Sequence, residues 1–173
     1  MAISLSGLTP GVEREYVWIG DDAVDLAASD VSRWLDKGEG LALKEGGDPV
    51  RFRLRALSPT VLQIVYNHAR MGATVVASAE VVDQLDIARR NMPAVYRAAV
   101  AYAVVAIENG GELKAKRQAD AGGLRLADDV LDTIDRITAR MEVGDGTTRI
   151  RLIEHLGLLA LSDSQPTEQE KKA

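Results

Sequence analysis

Between Ala94 and Ile107 the chain carries a single charge, Arg97, among side chains that are nearly all small or apolar. A run like this has no polar face to give to water, so it must lie at the centre of the fold with other elements covering most of its circumference. Val95, Ala99, Tyr102, Ala103 and Ala106 recur at helical spacing and continue a pattern begun by Val81, Val82, Leu85, Ala88 and Met92. The spacing predicts a long helical stretch from about Ser78 to Asn109, interrupted or kinked at Pro93 and closed by Gly110-Gly111.

The elements that must cover it are legible at several points. Val50-Arg51-Phe52-Arg53-Leu54-Arg55 alternates apolar and basic residues, which predicts a strand with Val50, Phe52 and Leu54 on the core side. Glu15-Tyr16-Val17-Trp18-Ile19 is rich in β-formers and stops at Gly20, so it is expected to pair with that strand in a small antiparallel sheet. Asp30 is placed to cap a short helix, Val31 to Lys37, which Gly38 ends and Trp34 docks. Ser58-Pro59 opens another helix, running through Val61, Leu62, Ile64, Val65 and His68 to Gly72.

Further on, Glu112 to Gly123 reads as an exposed loop or hairpin, and Asp128 as the cap of a helix through Ile137. Gly144-Asp145-Gly146 reads as a break before a final helix, Thr147 to Leu161, striped with Ile150, Ile153, Leu156, Leu159 and Ala160. The expected fold is therefore mainly α with a small antiparallel β element near the N-terminus, an α+β chain dominated by helix. Residues 1–12 are expected as a flexible arm, 13–161 as one compact domain and 162–173 as a flexible polar tail.

Composition limits the functions open to such a fold. Aromatics are only 4% of the 173 residues, so the core must be built from Ala, Val, Leu and Ile. Absence of cysteine removes disulfides, thiolate zinc sites and thiol nucleophiles. A net charge of −5 argues against gripping phosphate backbones, so a nucleic-acid partner is not expected. Met1 to Leu8 lacks the charged start of a signal peptide, and no run reaches the ~18 apolar residues of a membrane span. A cytoplasmic protein with no membrane partner is expected.

No catalytic, cofactor or metal site assembles in the sequence, and the chain is not expected to be an enzyme. His68 and His155 are isolated and read as structural. Asp21, Asp22 and Asp25 lack the glycine and terminal glutamate of a calcium loop, so they read as a solvated turn. Gly144 to Thr148 lacks the Gly-Lys-Ser/Thr ending of a phosphate loop, and Thr147 or Thr148 reads as an N-cap. Arg51, Arg53 and Arg55, with Lys114, Lys116 and Arg117, read first as edge-strand protection and a solvated loop. The alternative is a contact surface for an acidic partner protein.

The order of segments carries a resemblance. A strand with a Trp leads to an acidic turn. Asp48-Pro49 leads into Phe52-Arg53-Leu54-Arg55-x-Leu57-Ser58, and a helix ends Val104-Val105-Ala106-Ile107-Glu108-Asn109. Asp129-Val130-Leu131 and the charged segment Ser162 to Lys172 follow. This order resembles tail assembly chaperones of long-tailed bacteriophages and related phage-encoded assembly proteins. The resemblance implies a small helical protein of the infected host's cytoplasm that keeps the tape-measure protein soluble and helps recruit tail tube subunits. It also implies a longer frameshifted product in many such genes, with Glu170-Lys171-Lys172 a place to look for a slippery run. The alternative is a virion structural subunit, a tail or connector ring component, with homo-oligomerisation to match. For partner contact the expected residues are Arg53 and Arg55 as rim charges and Leu156 and Leu159 as apolar positions.

Overall fold

The computed structural model describes residues 13–70, 81–143 and 145–164. The expected arm, the helix end at Gly72 and most of the expected tail lie outside them. The first strand, β1 (Glu13–Val17), pairs antiparallel with β4 (Arg51–Arg55). Between them, β2 (Val24–Asp25) and β3 (Ala42–Leu43) form a small ribbon around α1 (Val31–Lys37). Local chemistry sets α1 as the sequence predicts: the Asp30 carboxylate accepts from the Arg33 N–H, and Gly38 closes the helix in the left-handed region, its N–H donating to the Trp34 carbonyl at 2.7 Å.

After β4 the chain enters α2 (Pro59–Arg70), where the Ser58 hydroxyl accepts from the Val61 N–H. The next helix, α3 (Val81–Ala103), runs on through Pro93. The expected helix to Asn109 ends six residues early, because Val104-Val105-Ala106-Ile107-Glu108 forms β5 (Val104–Glu108), third in the order β1-β4-β5. β-Branched Val104, Val105 and Ile107 suit a pleated surface better than a helix turn, and Ile107 sits opposite Phe52. The register slips between Arg53 and Leu54, leaving Val105 as the extra residue of a bulge.

The second half of the chain departs further from expectation. Residues 117–126 still form a hairpin, one of the two alternatives expected there, β6 (Arg117–Asp120) with β7 (Gly123–Leu126). Helix α4 (Asp128–Arg136) follows, its N-cap Ala127 lacking a side-chain bond, so the expected Asp128 cap sits one residue inside the helix instead. Then β8 (Thr138–Val143) and β9 (Gly146–Arg151) form a second hairpin where a helix from Thr147 was expected. Thr147 and Thr148 are strand residues, and α5 (Leu152–Asp163) begins only at Leu152.

These findings correct the expected helix-dominated fold with one N-terminal β element. Among the described residues there are five helices and nine strands, with antiparallel sheets spread along the chain, and the fold is α+β. The body also reaches past Leu161: Ser164 Oγ accepts from the Leu57 N–H at 2.8 Å and donates to the Ala160 carbonyl.

Two apolar clusters hold the elements together. The larger joins the inner sheet face (Tyr16, Phe52, Leu54) to Trp18, Trp34, Leu131, Ile134, Leu152 and Leu156. The smaller lies between α2, α3 and the end of α5, where Val65 and Val95 meet Ala98, Ala99, Ala103 and Ala160. Small side chains there bring the helices close: a Cβ on Gly157 would lie 2.7–2.9 Å from Tyr96 Cβ, Cα and O. Among the described residues, no helix is long and apolar enough to cross a membrane.

Candidate functional site

The outward face of the three-stranded sheet carries the arginines singled out by alternation. β4 is the central strand, so Arg51, Arg53 and Arg55 are not guarding an edge. They form a ladder with carboxylates of both neighbours: Arg51 pairs with Glu15 at 3.4 Å, and Arg53 with Glu13 at 3.2 Å and Glu108 at 2.7 Å. Arg55 is exposed, registers with Glu13 and lies near Arg117; burial, then the Arg55 charge, lower the Arg117 pKa. Exposed pairs of this kind each contribute about 0–1 kcal/mol, so the ladder sets charge register more than stability.

Leu156 and Leu159 are placed differently from the expectation. Leu156 is fully buried, Leu159 nearly so, and both belong to the larger core cluster. Neither offers a surface to a partner. The apolar side chain that α5 does present is Leu158, 50% exposed on a helix whose neighbours at 152, 153, 155–157 and 159–161 are all buried. Leu26, Leu35, Leu43, Tyr66 and Leu124 are the other large apolar side chains left in water among the described residues.

His155 is buried where α1, β1 and α5 meet. Its Nε2 faces the Leu35 carbonyl at 3.1 Å, which can only accept, so Nε2 carries the proton and Nδ1 accepts from the Tyr16 hydroxyl at 2.8 Å. The ring also lies 4.1 Å from the Trp34 ring, centroid to centroid. Burial holds its pKa below the ordinary value, and the Arg14 guanidinium lowers it further. Arg14 meets Asp163 at 2.7 Å, yet burial outweighs that charge and keeps the Asp163 carboxyl above its usual range. This constellation lacks an open face for a substrate. It is a structural clamp.

A second polar cluster ties β6–β7 to the helices. The Tyr102 hydroxyl donates to Asp120 at 2.7 Å, and Arg125 bridges Asp120 at 2.7 Å and Asp128 at 2.9 Å. Burial first, then the bond and charge of Asp120, push the Tyr102 phenol up to about 12. The acidic turn is likewise structural, with Asp21 accepting from the Ala23 and Val50 N–H groups and Asp25 from Ala27. A hollow of about 210 Å³ lies between the Glu112–Lys116 segment and α4, crossed by the Lys116–Asp129 pair. It is smaller than the roughly 300–1,000 Å³ of ordinary ligand pockets. Among the described residues no group of three or more His, Asp or Glu side chains is placed to hold a metal ion.

Comparison with protein-family models, curated proteins and solved structures returned no match to this chain.

Proposed function

We propose that this chain is a phage virion assembly protein that acts by binding other proteins: a tail assembly chaperone, working in the host cytoplasm, that keeps the tape-measure protein soluble and helps recruit tail tube subunits. The segment order set out above supports the reading, and the observation that carries it is Leu158, half exposed on a helix whose other apolar side chains are all buried. An amphipathic partner helix is captured by apolar anchors with charges around them. Leu158 takes the anchoring role first assigned to Leu156 and Leu159, which the fold needs for itself.

The second reading, a tail or connector ring subunit, draws on the β6–β7 hairpin, where Leu124 stands in water and suits contact between copies. The test is co-expression with the longest helix-rich protein encoded directly downstream. Under the chaperone reading that protein becomes soluble and co-purifies, and Leu158→Ser abolishes capture without loss of fold. An insoluble partner, beside a homo-oligomeric ring retained in purified particles, would overturn it in favour of the second reading.

A further inference from the structure

The β8–β9 hairpin stands as a two-stranded sheet, and its outward surface is unlike the laddered face of the main sheet. Ala139, Met141 and Ile150 pack against the core, so Arg140 and Glu142 on β8, and Thr147 and Arg149 on β9, face outward; all four are exposed. The rungs pair Arg140 directly with Arg149 and Glu142 with Thr147. The Leu152 N–H donates to the Ile137 carbonyl, which fixes the phase of the ladder: Ala139–Ile150 and Met141–Thr148 are hydrogen-bonded rungs, and Arg140–Arg149 is a non-bonded one. Such rungs bring facing residues to about 4.5 Å between Cα atoms, the closest approach a sheet offers.

Two guanidiniums therefore oppose each other where like charges destabilise pairing. Among the described residues no carboxylate lies within 4.0 Å of either, whereas the neighbouring Arg151 holds both Asp135 and Glu154. Among the described residues Glu142, the carboxylate one rung away on this face, makes no ion pair either. The same phase turns the backbone N–H and C=O groups of Thr147 and Arg149 away from β8, along an edge exposed from Gly146 to Arg149.

We propose that the β9 edge accepts an extended acidic segment of a partner protein as a third strand, with carboxylates at alternate positions seated over Arg140 and Arg149. The open backbone groups specify a strand, and the opposed arginines specify its charge. A second copy of this chain is disfavoured, since antiparallel β9–β9 pairing centred on Arg149 or Ile150 would set Arg149 against its own copy or against Arg151. Nucleic acid is disfavoured because residues 138–151 contain no aromatic side chain for stacking and the chain is net acidic. The inference stands independently of the assembly reading, because it rests on the hairpin alone.

The probe is a blocked, fluorescein-labelled hexapeptide of alternating Val and Glu, added to the full chain at low salt and followed by anisotropy and by amide exchange. Binding should slow exchange of the Thr147 and Arg149 amides. Thr147→Pro removes one outward N–H without touching the ladder and should weaken binding about tenfold, the loss expected for one charge-independent anchor in a short strand. Arg149→Glu should abolish binding while raising the melting temperature of the free protein, because it replaces a repulsion with an attraction; lost binding then cannot be lost folding. The proposal is overturned if millimolar peptide leaves those two amides unprotected, if Arg149→Glu binds as the parent does, or if a Val–Lys peptide binds equally. Equal binding of a twelve-residue oligothymidylate would overturn it too, marking a phosphate surface.

Discussion

Lowering the pH from about 7 towards 5 should destabilise this protein through His155. Its ring is satisfied in the neutral form, and burial, helped by Arg14, holds the folded pKa below the ordinary 6.5. The groups facing it are Tyr16 and Arg14 from β1, and Trp34 and the Leu35 carbonyl from α1; on α5, Asp163 lies beyond Arg14. In the pH range between the two values the unfolded chain binds a proton that the folded chain refuses. Stability is therefore whole above 6.5 and is lost as pH falls through the lower folded value, with a limiting slope of about 1.4 kcal/mol per pH unit for one proton. Against a typical domain stability of about 5–15 kcal/mol, one unit of that slope is readily measured. Asp163 works with the opposite sign: its raised folded pKa makes the native state the better proton binder above the ordinary 3.8, so it blunts the loss at the acidic end. Urea unfolding followed by the fluorescence of buried Trp18 and Trp34 across this range is the assay. His155→Gln should flatten the slope between pH 6.5 and the acid limb. A slope that survives His155→Gln would refute the reasoning.

Other predictions follow from particular contacts. Gly157→Ala places a Cβ under 3 Å from the Tyr96 backbone; overpacking of about 1–3 kcal/mol outweighs the roughly 1 kcal/mol that Ala gains in helix propensity, so the melting temperature should fall by several degrees. A rise would mean that α3 and α5 separate easily. Leu156→Ser should cost at least the 2–5 kcal/mol or so of a buried leucine truncation, and Leu158→Ser should stay within about 0.5 kcal/mol of the parent in urea unfolding. Asp120→Asn should bring the Tyr102 phenol down from about 12 in an alkaline absorbance titration, yet leave it above the ordinary 10, because burial remains. An unchanged titration would remove Asp120 from the cause.

The parts of the fold that were legible are those fixed by local chemistry. Asp30, Trp34 and Gly38 define α1 within its own few residues, and the two-residue period of 50–55 defines β4 and its inner face. Helix α3 turns into β5 without a loop, and no punctuation in Ala103-Val104 marks the change; only the need of Phe52 and Leu54 for a neighbour across the sheet decides it. The β8–β9 hairpin did leave a signal, Asp145-Gly146 between Ala139/Met141 and Thr148/Ile150 alternation, but a stripe through Ile150, Ile153 and Leu156 also fits a helix. The candidate site was legible to the same depth. Alternation turned Arg53 and Arg55 outward correctly, but it does not tell that Glu13, Glu15 and Glu108 stand beside this strand. Helical spacing put Leu156 and Leu159 on one apolar face, and spacing is silent on whether that face meets the core or a partner.

The scarcity of aromatics, which left the core to be built from Ala, Val, Leu and Ile, has a more local meaning. Tyr16, Trp18, Trp34 and Phe52 gather with His155 where the sheet meets α1 and α5. A sheet cannot approach a helix as closely as two helices with small faces can, so large rings must bridge that distance. The α2–α3–α5 side does the reverse, closing its gap with Ala98, Ala99, Ala103 and Gly157. Few aromatics therefore suffice for an α+β core when all the spanning is done at one junction, and that junction is where His155 lies. A proton added there acts on the contact between sheet and helices rather than on the helix pair, which is why the acid sensitivity should appear in the fluorescence of Trp18 and Trp34 first.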